Sequence, residues 1–206
     1  MSEFFVLHPD NPQLRLIKLA VKIIQGGGVI VYPTDSGYAI GCQIANKGAL
    51  DRIRQIRQLD DKHNFTLICR NLSELGSYAV VDNAAFRLLK SHTPGPYTFI
   101  LKGTREVPRR LLQPKRNTIG LRVPNSNIVQ ALLNELNEPL MSITLTLPDQ
   151  EYQFSDAQDI YDSLKNRVDL VIDGGPCGMT PTTVVDLSEG EVNILRVGKG
   201  DPRTLV

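Results

Sequence analysis

The stretch that most limits what this chain can become is Gly26 to Cys42, Gly-Gly-Gly-Val-Ile-Val-Tyr-Pro-Thr-Asp-Ser-Gly-Tyr-Ala-Ile-Gly-Cys. Val29, Ile30, Val31 and Tyr32 are a β-branched and aromatic run with glycines before it and a proline after it, the pattern of a buried strand ending in a turn. Pro33 removes an amide and fixes φ, whereas Gly37 and Gly41 permit positive φ or close backbone approach. Between them stand Thr34, Asp35 and Ser36, three small polar side chains at a strand end. Taken alone, these residues favour a plain polar turn over a ligand-holding corner, and only the rest of the chain shifts that balance.

In chain order, Asn11-Pro12 reads as a helix start with asparagine as N-cap, followed by Leu14, Ile17, Val21 and Ile24 at helical spacing and by Gly26 as C-cap. Strands are predicted at 28–32 and Tyr38–Ile44. Asn46 caps a second helix carrying Leu50, Ile53 and Ile56, which runs into the charged stretch from Arg57 to Asn64. Phe65–Cys69 reads as a strand, and Leu72–Tyr78 and Asn83–Ser91 read as short helices, the latter capped by Asp82. Pro94-Gly95-Pro96 forces a break before a strand at Tyr97–Lys102. Strands follow at Ile119–Val123, Leu140–Leu145, Val168–Ile172, Thr183–Leu187 and Val192–Arg196, with helices at about Asn127–Leu136 and Asp156–Lys165. No linker or internal repeat is visible, so residues 1–206 read as one α+β domain with its core at about 14–200. Strands and helices do not alternate strictly, which argues against a purely parallel sheet.

Hydrophobic content of 41% suffices for a sizeable core. No run approaches the ~18 apolar residues of a membrane span, and the start lacks a signal-type segment, so a cytoplasmic protein with no membrane partner is expected. Cys42, Cys69 and Cys177 are odd in number and far apart, which favours reduced thiols and no structural metal. The net charge of +1 hides an asymmetry. Residues 1–122 hold 18 Lys+Arg against 9 Asp+Glu, and residues 123–206 hold 5 against 13. Lys102 to Arg122 is the densest basic part; it is either a phosphate-attracting patch or a solvated loop balanced by the acidic C-terminal part.

The chain has no Ser/His/Asp arrangement in an elbow motif, no Walker A sequence and no Gly-x-Gly-x-x-Gly. It does have hydroxyls and arginines at strand edges: Thr34, Ser36, Thr118, Arg122, Thr144, Thr146, Thr182, Thr183 and Arg196. Threonine in a strand is usually only a β-former. Arginine interrupting a strand is rarer, and its planar fork suits phosphate.

Pro33-Thr34-Asp35-Ser36-Gly37-Tyr38-Ala39-Ile40-Gly41-Cys42 resembles the signature of the YrdC/YciO family. Pro94 to Leu101, Thr118 to Pro124 and Thr182 to Asp186 match further blocks in the family's order, and His63-Asn64-Phe65-Thr66-Leu67 is closest to the YciO branch. The resemblance implies a large twisted mixed sheet with flanking helices and a concave basic groove holding the Thr34 motif. It also implies a reaction: threonylcarbamoyl-adenylate made from L-threonine, bicarbonate and ATP with Mg2+ as substrate complex, toward threonylcarbamoyladenosine in tRNA. Carried over position by position, it implies substrate contacts at Thr34, Arg122, Thr144 and Thr182, and nucleotide contacts at Arg57, Asn64, Thr118, Thr146 and Arg196. Arg122 is expected to present its guanidinium to the groove.

Two departures stand out. Where the synthases carry Lys-x-Arg, this chain reads Arg57-Gln58-Leu59 or Gln55-Ile56-Arg57, and where they carry Ser-x-Asn it reads Thr144-Leu145-Thr146. Losing one well-placed donor can lower a rate by ~10²–10³. The expectation is therefore a synthase-like protein with a degenerate, weak site; the alternative is a protein that binds nucleotide, tRNA or double-stranded RNA through the basic groove without catalysis.

Overall fold

The computed structural model describes residues 1–60, 63–148, 150 and 154–205. Asp61 and Lys62 of the charged stretch lie outside the described residues. The strands are β1 (Glu3–Val6), β2 (Ile30–Pro33), β3 (Tyr38–Gln43), β4 (Thr66–Ile68), β5 (Tyr97–Lys102), β6 (Thr118–Arg122), β7 (Leu140–Thr144), β8 (Leu170–Asp173), β9 (Thr183–Asp186) and β10 (Asn193–Arg196). The helices are α1 (Leu14–Gln25), α2 (Lys47–Arg57), α3 (Leu72–Tyr78), α4 (Asn83–His92), α5 (Asn127–Leu136) and α6 (Ala157–Leu164).

The caps explain most helix starts. Asn46, Asn71, Asp82, Ser126 and Asp156 each accept a backbone N–H from the first turn of α2, α3, α4, α5 and α6. The expected Asn11 cap is not used. His8 Nδ1 accepts the N–H groups of Asp10 and Asn11, which folds that segment into a turn and delays α1 to Gln13.

All ten strands form one sheet in the order β1-β8-β2-β3-β7-β4-β6-β5-β9-β10. Parallel pairs (β1 with β8, β2 with β8, β4 with β6, β5 with β9) mix with antiparallel ones, as the irregular alternation of elements predicts. Two differences extend the core beyond 14–200. β1 is an edge strand whose four residues, Glu3-Phe4-Phe5-Val6, are too few to give a periodic signal, and Leu205 is buried in a final 3₁₀ turn.

Strand alternation divides the sheet's two faces. Val29, Val31, Ile40, Leu67, Leu121 and Phe99 pack under α2, α3, α4 and α6, while Ile30, Tyr32, Ala39, Ile68 and Leu140 pack under α1 and α5. Further along the second face, cross-strand partners share a row: Gly41 with Ser142, Ser142 with Thr66, Thr66 with Gly120, and Gly120 with Ile100. Apart from Ile100 these residues are small or carry hydroxyls, and the cavities described below open over this end of the face.

Gly41 is required for close approach, since a Cβ there would sit 2.7 Å from the Met141 carbonyl oxygen and 3.1 Å from the Tyr32 ring. Gly41→Ala is expected to destabilise the fold by ~1–3 kcal/mol through overpacking against backbone, read as a lower urea midpoint at unchanged m-value. An unchanged midpoint would show that β3 and β7 can separate freely at this point.

Candidate functional site

The Pro33–Gly37 turn links β2 to β3 and closes on itself. Thr34 N–H and Thr34 Oγ1 both donate to the Gly37 carbonyl, at 3.0 and 2.7 Å, and Ser36 N–H donates to Thr34 Oγ1 at 3.2 Å. Gly37 takes φ +143°, a backbone conformation that a side chain rarely adopts. The Asp35 carboxylate accepts Asn125 N–H at 2.9 Å and forms an ion pair with Arg122 at the end of β6, and Lys199 Nζ donates to the Asp35 carbonyl.

Two adjoining cavities lie beside this turn. The inner one, about 30 Å³, is lined by Thr34, Ser36, Arg122, Ser142, Thr144 and Thr182. The outer one, about 320 Å³, takes its polar wall from Arg57, His63, Asn64, Thr146, Thr182 and Arg196. Its apolar wall is Ile100, Ile143, Val184 and Leu195, and Thr66, Thr98, Thr144 and Thr182 border both spaces. Thr98 and Thr182 share a hydroxyl hydrogen bond of 2.8 Å. A bulge in β10 sets Arg196 opposite Val184, and its Nε and Nη2 donate to the Thr182 carbonyl at 3.1 and 2.9 Å.

Eight of the nine residues expected from sequence therefore meet at one place. Thr118 does not: it shares the face of Gly120 and Arg122 but is 2% exposed, starts β6 beyond the Gln113–Asn117 turn, and lines neither cavity. Of the residues weighed for the altered cation pair, Arg57 reaches the cavity; Leu59 packs against the core and Gln55 does not line it. Sequence reading missed Thr66, Thr98, Ser142 and His63 as wall residues. Strand alternation marks the first three only once the face of the cavity is known.

Arg122 corrects an expectation. Its guanidinium does not stand free in the groove; the residue is 6% exposed, held by Asp35, and its Nε has no partner among the described residues. Burial lowers its proton affinity and Asp35 restores part of it. Burial has the same lowering effect on Arg57 and Arg196. Arginine stays protonated in proteins, so these remain cations with unused donors, suited to anionic oxygen. Arg57 Nη1 donates to the Thr146 carbonyl, while its Nε is also unpartnered.

Among the described residues no activated nucleophile accompanies them. The Cys177 thiol lies 3.8 Å from the Thr34 carbonyl oxygen and is pushed up to about 11, mainly by burial, which leaves it protonated at neutral pH. Among the described residues no group of three His, Cys, Asp or Glu could hold a metal ion, and no helix is long and apolar enough to cross a membrane. Part of the basic stretch is neutralised by the acidic C-terminal part: Arg116 pairs with Asp186 at 2.8 Å and Glu189 at 3.7 Å, and Lys102 pairs with Glu189 at 3.8 Å.

Comparison with known proteins adds four findings. Residues 22–198 match the family model Sua5/YciO/YrdC, described as "Telomere recombination". The chain is 61% identical over 201 residues to the uncharacterized protein YciO of Escherichia coli (strain K12), covering 98% of each, and the crystal structure of E. coli YciO superposes with a TM-score of 0.97 at 60% identity over all of both chains. It is 32% identical over 145 residues, 68% of this chain and 77% of the other, to the threonylcarbamoyl-AMP synthase of Hydrogenovibrio crunogenus (strain DSM 25203 / XCL-2). The structure of P. abyssi Sua5 complexed with L-threonine shares the fold, with a TM-score of 0.88 at 22% identity over 96% of this chain and 58% of that one.

The buried Arg122–Asp35 pair yields a stability prediction. Asp35→Asn strands a desolvated guanidinium and is expected to destabilise by ~3–5 kcal/mol, whereas Arg122→Met strands the Asp35 carboxylate, which keeps the Asn125 N–H, and is expected to be somewhat milder. In urea unfolding the double variant should lie well above the sum of the single losses; strict additivity would mean that the two groups do not interact.

Proposed function

The chain belongs to the Sua5/YciO/YrdC family, and from that premise we propose that it is a threonylcarbamoyl-AMP synthase-like protein acting on L-threonine, bicarbonate and ATP with Mg2+, with a weakened site. The observation that carries this reading is the convergence of Thr34, Thr144, Thr182 and Arg122 on a small recess that opens into a larger cavity walled by Arg57, Asn64, Thr146 and Arg196.

The recess has room for about two waters, which suits a carboxylate or bicarbonate end and not a whole amino acid. The larger cavity offers cations and hydroxyls for phosphate oxygens beside an apolar wall for a nucleoside. In the proposed reaction the threonine amine adds to bicarbonate with loss of water. A carbamate oxygen then attacks the α-phosphorus of ATP, and pyrophosphate leaves with the broken P–O bond's electrons. A site without a nucleophile can promote this only by holding the reactants in line and by placing positive charge where negative charge grows. Arg122, fixed by Asp35, and Arg196, fixed by Thr182, are placed to do so with little reorganisation.

Two changes weaken the site. Arg57 is a single cation with one arm on the Thr146 carbonyl, and threonine at 146 supplies no amide donor. These altered positions favour, as a second reading, a nucleotide- or double-stranded-RNA-binding protein that does not turn over.

Pyrophosphate release with ATP, Mg2+ and bicarbonate, with and without threonine, separates the two. The expected result is slow, threonine-dependent release that falls about tenfold or more in Thr34→Ala and Arg196→Ala and rises about tenfold or more in T144S/T146N, on the scale of one oxyanion donor. Nucleotide binding with no release from any version would leave the binding reading; release that ignores threonine would overturn the synthase reading.

A further inference from the structure

His63 lies in the outer cavity beside the altered cation position, and nothing in the family signature assigns it a role. It follows the C-terminus of α2, where Gln58 adopts the left-handed conformation that ends the helix after Arg57. Its backbone N–H donates to the Asp60 carbonyl at 3.3 Å. Its ring meets the buried Phe65 ring edge-on, with centroids 6.0 Å apart, and Arg54 lies 5.2 Å from that same Phe65 ring. The imidazole is thus half-buried, held by an aromatic neighbour, and shares a wall with Asn64 and Arg57.

We infer that His63 is a further cation of this cavity, beside Arg57 and Arg196, and a conditional one: it takes up a proton when an anionic phosphate group enters beside Arg57, and so makes phosphate binding tighter as the solution is acidified. The inference rests on the reading above only in requiring that the cavity's ligand carry phosphate.

Among the described residues, the charged groups around the ring are Arg57 from α2, Asp60 from the loop and Arg196 from β10, which lines the same cavity, while Arg54 packs on the Phe65 ring that His63 meets. Burial first, and then the Arg57 charge, hold the imidazole below its ordinary value, with Asp60 acting the other way. Near neutral pH the free protein therefore carries it neutral. A phosphate oxygen between His63 and Arg57 reverses the local field and favours imidazolium. Binding then takes up a proton, so affinity rises as pH falls through the bound-state value and levels off below the free-state value. A lysine in this position would remain charged in the empty cavity and repel Arg57 at all times.

The test is calorimetric titration of ATP and of inorganic tripolyphosphate into the native protein, His63→Gln and His63→Arg, at about pH 6 and about pH 8, the range in which histidine titrates. Each unit by which the anion raises the imidazole corresponds to about tenfold in affinity. The native protein should bind about tenfold tighter at the lower pH. His63→Gln should match it at the higher pH and show only the ligand's own phosphate titration, and His63→Arg should bind tightly at both. NMR of the ring should show His63 titrating lower in the free protein than with tripolyphosphate. His8 and His92 hydrogen-bond elsewhere, and the resonance missing from His63→Gln assigns the signal. Binding whose pH dependence is the same in native and His63→Gln proteins overturns this inference and leaves the proposed function standing. Absence of phosphate binding at either pH overturns both.

Discussion

A buried ion pair ties the site together. Asp35 sits in the turn between β2 and β3, Arg122 ends β6 three strands away in the sheet, and the carboxylate also accepts the N–H of Asn125 just before α5. Neither partner is stable without the other in so dry a place. Once paired, they set the distance between the hydroxyl turn and the sheet face, and Lys199 adds a tie from the C-terminal part. The geometry of Thr34 thus depends on residues as far apart in the chain as Asp35 and Lys199.

The second condition is a division of labour across the sheet. On strands β4, β6 and β7, one alternating set of residues is apolar and packs under helices; the other includes Thr66, Gly120, Ser142 and Thr144. α1 and α5 cover the part of that face that runs from Ile30 and Leu170 to Ala39, Leu140 and Ile68. Where the helices stop, the face would be an apolar liability had it been built of valine and leucine. Built of hydroxyls, it is a wall that ligand oxygens can use.

Much of this was legible in the residues. The strand–turn–strand of Gly26 to Cys42, the caps Asn46 and Asp82, and the helical spacing of Leu50, Ile53 and Ile56 all act locally, and the structure has them where sequence places them. Eight of the nine residues singled out from the family blocks line the two cavities, because each block is a strand end or a turn with its own local geometry. What failed was non-local. β1 gains its place only from β8, more than 160 residues away, and Asn11 lost its cap role to a histidine contact. The pairing of Arg122 with Asp35 leaves no trace in either segment alone. Thr118 has the right residue type and the right face, but the turn that closes over it is invisible in a motif.

The cavity is assembled from the β2–β3 turn, the end of α2, strands β4 to β7, the start of β9 and the bulged β10, so its walls come from residues 34 to 196 of the chain. No fragment contains a rudimentary version of it. A nascent chain must therefore be almost fully synthesised, and its most distant strand pairs closed, before it can hold anything, and pairings of such long range are slow to form. The converse holds at equilibrium: whatever occupies the cavity bridges nearly every part of the sheet, so its binding energy adds in full to the stability of the whole domain and to no smaller unit.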